Sequence, residues 1–317
     1  MKRIYLDQNI WSDIQFERFN TSLDDILKKM DRNKVEVIYS PAHCEEICDA
    51  YCCLNISKNI SIEEKDIRLN LLSTVTQNKE IIPYRNNFNV MHSFCETEGP
   101  YIVLEHPAAC FKRVHDNYES NKIAESAQQH SVDVAKTVSK NIKDRLGNAN
   151  INDVFETDPQ AKNLLIHNLT TKLIHNAAFN QLHESNIKVH PCGDLEKRIL
   201  DHKIQKIRSE FGDDYWREAM LLLHSRSNND FSSMGFDTCE AVVDSVMLSM
   251  IELGYASSEP SRSSLHDITH AIYGVYCDYF VSRDNKLLKK LIPTYEYLGV
   301  KTRIINANSE DWQAYLS

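Results

Sequence analysis

Apolar and polar positions alternate along this chain in blocks that read as strand and helix. The run Ile4, Tyr5 and Leu6 is unbroken and ends on Asp7, the pattern of a short strand over residues 3–7, buried on both faces of a parallel sheet. Leu23, Ile26, Leu27 and Met30 then recur at helical spacing. Ser22 and Asp25 stand at capping-box separation in front of them, so a helix is predicted from about Ser22. "VEVIYS", residues 35–40, carries the β-branched alternation of a second strand. Pro41 suits the first turn of a following helix, where its missing N–H would be unpaired anyway, and that helix carries "AHCEEICDAYCC".

The other end of the chain repeats this grammar. "TCEAVVDSVMLSMIELG" predicts a helix stopping at Gly254, a serine-rich loop follows, and "SLHDITHAIYGVY" predicts a helix from near Ser264. "CDYFVS" reads as a strand, "RDNKLLKKL" as a helix and "GVKTRIIN" as a last strand. Alternating βα units with short connections predict an α/β fold, a parallel sheet with helices on both faces. Residues 1–55 and 237–317 form one discontinuous domain in this reading, and residues 56–236 a mostly helical insertion. Helical spacing within the insertion recurs over residues 110–146, 159–185 and 195–211, whereas "NNFNVMHSFCETEGP" and "HSRSNNDFSSMGFD" read as loops.

Composition narrows the function. The chain has 317 residues, 42% of them hydrophobic, which is enough for a full core. No apolar run is long enough for a membrane span and no signal-peptide stretch opens the chain, so a cytoplasmic protein without membrane contact is expected. Its nine cysteines include no C-x-x-C pair and read as reduced, mostly buried thiols. A net charge of −9 excludes nucleic-acid binding through a bulk positive field. "KKMDRNK", "FKRVH" and "DHKIQKIR" are local basic clusters, each by default a solvated helix face. The chain has no phosphate-binding glycine loop and no G-x-S-x-G nucleophile frame.

Carboxylates carry the remaining signal. Ligands of open parallel sheets bind at the carboxyl ends of the strands, where strand order reverses. Asp7 closes the first strand, Glu46 lies in the first turns after the second, Asp284 follows "YFVS" by two residues, and Asp267 begins the helix leading into that strand. Four acids on one edge repel unless a cation sits among them, and oxygen ligands favour Mg²⁺ or Mn²⁺. Such a cluster suits metal-assisted phosphodiester hydrolysis. Competing roles exist for each acid. Asp7 and Asp284 can cap helices, the dipole favours any acid at the position of Asp267, and only one of the adjacent Glu45 and Glu46 can face a cleft. Asp278 begins a strand and reads as structural. His43, His266 and His270 flank the acids and read as packing or supporting groups, and Trp11, Tyr39, Tyr273 and Tyr276 as core.

"YLDQNIW", "YSPAHCEEI" and "LHDITHAIYGVYCDYFVSRDNKL" together resemble the PIN-domain nucleases. Those chains begin with a strand ending in Asp-x-Asn, carry Ser followed six residues later by Glu, and close with an Asp-led helix before a Thr/Ser-x-Asp turn. The resemblance covers residues 1–55 and 237–310, and it implies a three-layer α/β/α fold. It places Asp7, Glu46, Asp267 and Asp284 on the family's acidic quartet, Asn9 on its amide and Ser282 on the hydroxyl that orients the site. A Mg²⁺- or Mn²⁺-dependent endoribonuclease acting on tRNA or mRNA is what it implies, with a toxin or phage-defence role. A regulatory protein or a second copy of the chain, docking through the insertion, is the expected partner. Two departures stand out: the insertion itself, and Gln8 where a small hydroxyl residue is usual. A non-catalytic PIN-like binding module and a metal-dependent nucleotide phosphohydrolase stay open. His266-Asp267 also spells the dyad of the HD phosphohydrolases, a helical family against which the flanking strands count.

Overall fold

Ile4, Tyr5 and Leu6 are each fully buried, as expected for a strand with partners on both sides and helices over both faces. The computed structural model describes residues 1–53, 59–82, 100–118 and 262–317, with the helical positions Phe236, Cys239, Glu240, Val243, Asp244, Val246 and Met247. In chain order its elements are β1 (Lys2–Leu6), α1 (Gln8–Gln15), a 3-10 turn (Arg18–Asn20), α2 (Leu23–Lys29), β2 (Val35–Ile38), α3 (Pro41–Tyr51) and α4 (Ile62–Thr76). Then follow β3 (Lys79–Ile82), β4 (Tyr101–Leu104), α5 (Pro107–Asp116), α6 (Arg262–Gly274), β5 (Tyr279–Ser282), α7 (Asn285–Leu298), β6 (Arg303–Asn306) and a 3-10 turn (Trp312–Leu316).

The main sheet has strand order β2-β1-β5-β6, all parallel, so the α/β fold read from the sequence is the fold observed. Tyr5 pairs with Ile38 on one side and Phe280 on the other, and Phe280 with Ile304. Parallel pairing puts the ends of all four strands, Leu6, Ile38, Ser282 and Asn306, at one edge. From β1 the chain crosses to β2, while from β5 it crosses to β6 on the opposite side. Strand order therefore reverses between β1 and β5, where the connections diverge and open a crevice. Asp7 and Ser282 stand at that point, and the Asp7 N–H donates to Val281 O at 3.0 Å.

Side-chain alternation separates the two faces of the sheet. Ile4, Leu6, Val37, Val281 and Ile305 join one buried cluster with Ile10, Trp11 and Ile14 of α1, Leu72 and Val75 of α4, and Phe111 of α5. Tyr5 and Phe280 leave the opposite face, stack with centroids 5.5 Å apart, and meet α6 and α7. Trp11, Tyr39, Tyr273 and Tyr276 are all buried, the core role expected of them. Among the described residues the cysteines form no disulfide, and no helix is long and apolar enough to cross a membrane.

Four features depart from the sequence reading. Helix α1 begins directly after Asp7, ahead of the first helix expected at Ser22. Helix α7 continues past the expected end to Leu298 with Pro293 inside it. The antiparallel pair β3–β4 lies within the segment read as a mostly helical insertion, and it joins the end of β2 through Tyr39, whose N–H donates to Lys79 O at 3.1 Å. Phe236, expected in a loop, is helical and buried beside Tyr273 and Tyr276. The helical segments expected over residues 119–146, 159–185 and 195–211, most of both loops, and the serine-rich segment after residue 254 lie outside the described residues.

Two tests follow from the packing. A Cβ on Gly274 would sit 2.7 Å from the Tyr295 hydroxyl and 2.9 Å from Phe280 Cε2, and closer still to Phe280 Cδ2. Gly274→Ala is therefore expected to cost about 1–3 kcal/mol by overpacking, read as a lower denaturation midpoint. The second concerns Glu80, fully buried on β3, which accepts from Arg113 Nη2 at 3.2 Å while Arg113 also pairs with Glu105. Burial, then the hydrogen bond with Glu105, push the Glu80 carboxyl up to about 8. The native state thus holds a proton that the unfolded chain releases near 4.5, so stability falls with rising pH between those values, by up to about 1.4 kcal/mol per pH unit. Glu80→Gln keeps the hydrogen bonds without the titration, and urea melts at pH 5 and pH 8 should show a smaller decline than in the wild type.

Candidate active site at the carboxyl edge of the sheet

Asp7 is the focus of the edge. Its backbone is extended (φ −66°, ψ 158°), the N-cap conformation, and its Oδ1 accepts from Gln8 N at 2.8 Å. Oδ2 accepts from Ser282 Oγ at 2.7 Å and from Asn9 Nδ2 at 2.5 Å. The Asn9 carbonyl in turn accepts from the Arg283 N–H at 3.0 Å, and Ser282 Oγ accepts from the Asp284 N–H at 3.0 Å. An amide and a hydroxyl from two neighbouring strand ends thus hold one carboxylate in a single orientation. The cap role and the site role of Asp7 coexist, one on each oxygen.

The other three predicted acids lie on helices around it. Glu46, on α3, has Oε1 2.9 Å from His270 Nε2 on α6. Of the adjacent glutamates, Glu46 is thus the one held against the buried His270. Asp267, on α6, accepts at Oδ2 from Lys290 Nζ at 2.9 Å. Asp284 caps α7, its Oδ1 accepting from the N–H groups of Lys286 (2.7 Å) and Leu287 (3.2 Å). Asp278 lies at the opposite edge, where its Oδ2 accepts from the Arg3 N–H at 2.7 Å, a structural tie between β5 and β1.

These groups lie in one electrostatic field. Burial, and then the charges of Glu46 and Asp267, push Asp7 up to about 6, against the pull of His270 and Ser282. Burial also leads the rise at Asp267, where Asp284 adds to it and Lys290 opposes it. Glu46 shifts downward: burial resists, but the hydrogen bond and charge of His270 outweigh it. Burial likewise resists the charge of His270, yet Glu46, Asp7 and Asp267 raise it.

Two histidines divide the labour. His43 Nδ1 accepts from the Ser40 N–H at 3.0 Å, so the proton sits on Nε2, which donates to Leu6 O at 2.8 Å. Burial, with His270 close by, pushes it down to about 3, and it stays neutral. His270 shifts the other way and is the histidine that meets the acids. Its Nδ1 lies 2.7 Å from the Tyr5 hydroxyl, which lies 2.6 Å from Ser40 Oγ, so a fully buried chain of hydrogen bonds fixes the ring that fixes Glu46. His266, one turn earlier, pairs its Nε2 with Asp49 Oδ2 at 2.9 Å.

Lys290 and the Glu46–His270 pairing were missed in the sequence. A signal for Lys290 existed: with Leu287, Leu291 and Thr294 it falls on the buried stripe of α7, and its exposure is 2%. The pairing had none, because 224 residues separate its partners. Gln8 lines a small cavity with Trp11, Ser12, Ile47 and Arg68.

Hard carboxylate oxygens at a crevice suit a small divalent cation. As arranged, however, these oxygens bond to fixed donors, and among the described residues no three Asp, Glu, His or Cys side chains form a preset metal shell. No protein-family model, curated protein or solved structure matches this chain.

The Lys290–Asp267 pair can be tested by stability. Lys290→Met strips Asp267 of its partner and is expected to cost about 3 kcal/mol, as for an uncompensated buried charge. Adding Asp267→Asn should recover most of it. Equal midpoints for the single and double variants would mean that the pair carries no such coupling.

Proposed function

We propose that this chain is a PIN-like, Mg²⁺- or Mn²⁺-dependent endoribonuclease. The observation that carries the reading is Asp7 at the strand-order reversal, oriented by Asn9 and Ser282, in one electrostatic field with Glu46 and Asp267. The order of the quoted segments and the parallel sheet support it. Asp7, Glu46, Asp267 and Asp284 would hold the ion, and their oxygen chemistry fits it. A bound divalent ion supplies positive charge to the phosphate under attack and makes water a stronger nucleophile near neutral pH.

The chain's own groups have separate tasks. Asn9 and Ser282 fix the Oδ2 direction of Asp7, and His270, held by Tyr5, fixes Glu46. Lys290 pairs with Asp267 and opposes its protonation. The net reaction adds water across a phosphodiester bond: the water oxygen bonds to phosphorus, one ester P–O bond breaks, and a proton passes to the departing ribose oxygen. RNA, as tRNA or mRNA, is the proposed substrate class.

A second reading has one observation in its favour. His270 and Lys290 already compensate Glu46 and Asp267, which would also suit a PIN-like module that binds without cutting.

Cleavage of labelled tRNA and mRNA separates the two readings. The wild type should cut in Mg²⁺ or Mn²⁺ and stop in EDTA, and Asp7→Asn should lose about a hundredfold or more of the rate, the usual scale for removing a transition-state contact. No cutting by the wild type with either ion would favour the binding module.

A further inference from the structure

Beyond α1 the chain exposes two aromatic rings, each faced by a guanidinium. Phe16 is 49% exposed and Phe19 63%. The Arg18 guanidinium lies 4.9 Å from the Phe16 ring centroid, and that of Arg283 lies 3.8 Å from the Phe19 centroid. Glu17, Phe19 and Asn20 all have left-handed backbone (φ 51°, 54° and 56°), a shape that β-carbon-bearing residues seldom adopt, and it presents Phe19 outward.

Arg283 connects this surface to the acid edge. It lies between Ser282 and Asp284, and its backbone N–H donates to Asn9. Its Nε donates to Asp13 Oδ2 at 2.8 Å and its Nη1 to Asn308 Oδ1 at 3.3 Å, so the guanidinium is held over the Phe19 ring. One arginine side chain therefore separates the orienting groups of Asp7 from the nearer ring.

We propose that Phe16 and Phe19, with Arg18 and Arg283, form a stacking platform for unpaired RNA nucleotides that leads a single strand to the acid edge. This rests on the nuclease reading and names its substrate class. A base stacks on the open face of a ring whatever its identity, and a guanidinium beside the ring meets the adjoining phosphate. An acidic chain needs such local positive groups to hold a polyanion. A duplex hides its base faces from both rings, so the platform selects single strands. A protein partner would be matched better by rings set among other apolar side chains, whereas these stand beside arginines.

The test is fluorescence anisotropy of the full chain with a labelled single-stranded oligouridylate and with the matching duplex, in Mg²⁺ and in EDTA. Cleavage of tRNA is scored separately. Replacing Phe16 and Phe19 together by Ala should weaken single-strand binding about a hundredfold, roughly tenfold per lost stacking ring. Phe16→Tyr with Phe19→Tyr keeps the rings and should bind like the wild type, and unchanged melting of both variants excludes misfolding. Unchanged binding by the alanine variant, no binding of the single strand by the wild type, or equal duplex binding overturns the platform. So does a self-association that disappears with the rings, which would assign them to a protein contact. If Asp7-dependent cleavage persists while ring loss leaves binding unchanged, only the platform fails. Ring-dependent binding without cleavage leaves the platform standing and removes the nuclease reading.

Discussion

The crowding of negative charge at one edge of a parallel sheet is the constraint on which this structure turns. Parallel strands deliver all their carboxyl ends to the same side, and here the residue at the strand-order reversal is an aspartate only 5% exposed. A buried carboxylate is tolerated when fixed donors surround it. Gln8 N, Asn9 and Ser282 supply those donors, and each comes from backbone or side chains that the sheet register has already placed. The same burial raises Asp7, and the neighbouring charges of Glu46 and Asp267 add to the rise.

The helices answer that charge in two ways. His270 and Lys290 bring buried nitrogen groups to Glu46 and Asp267, and Asp284 turns one oxygen into the first turn of α7. Behind them, the chain from His270 through Tyr5 to Ser40 ties α6 to the central strand and to the start of α3, while neutral His43 locks that start to Leu6. The edge is therefore rigid where Asp7 and Glu46 sit. Its outer rim is arginine and exposed phenylalanine, joined to Asp7 through the Arg283 backbone and Asn9.

Much of this was legible from residues 1–51 and 262–306 because their apolar runs are short and cleanly bounded. The unbroken Ile4-Tyr5-Leu6 and the β-branched residues from Val35 are strand signals without a helical alternative. Helix α1 was not legible: Ile10, Trp11 and Ile14 give barely one turn of stripe among polar neighbours. Nor were β3 and β4, four residues each, whose pairing depends on a bridge to Tyr39 and on the Glu80–Arg113–Glu105 cluster. At the edge, the acids could be placed from their positions after strands, and Asn9 and Ser282 from the family pattern. Their partners could not, because His270 and Lys290 gain their meaning only when α6 packs against α3 and α7.

The central claim is that this edge is built to take a divalent cation through Asp7. Calorimetric titration of Mn²⁺ into the wild type and into Asp7→Asn, at neutral pH and without RNA, tests it most directly. The account predicts saturable binding by the wild type and at least about tenfold weaker binding by the variant, the loss expected when a charged ligand is removed. Absence of binding by the wild type, or equal affinity in the two proteins, would contradict it.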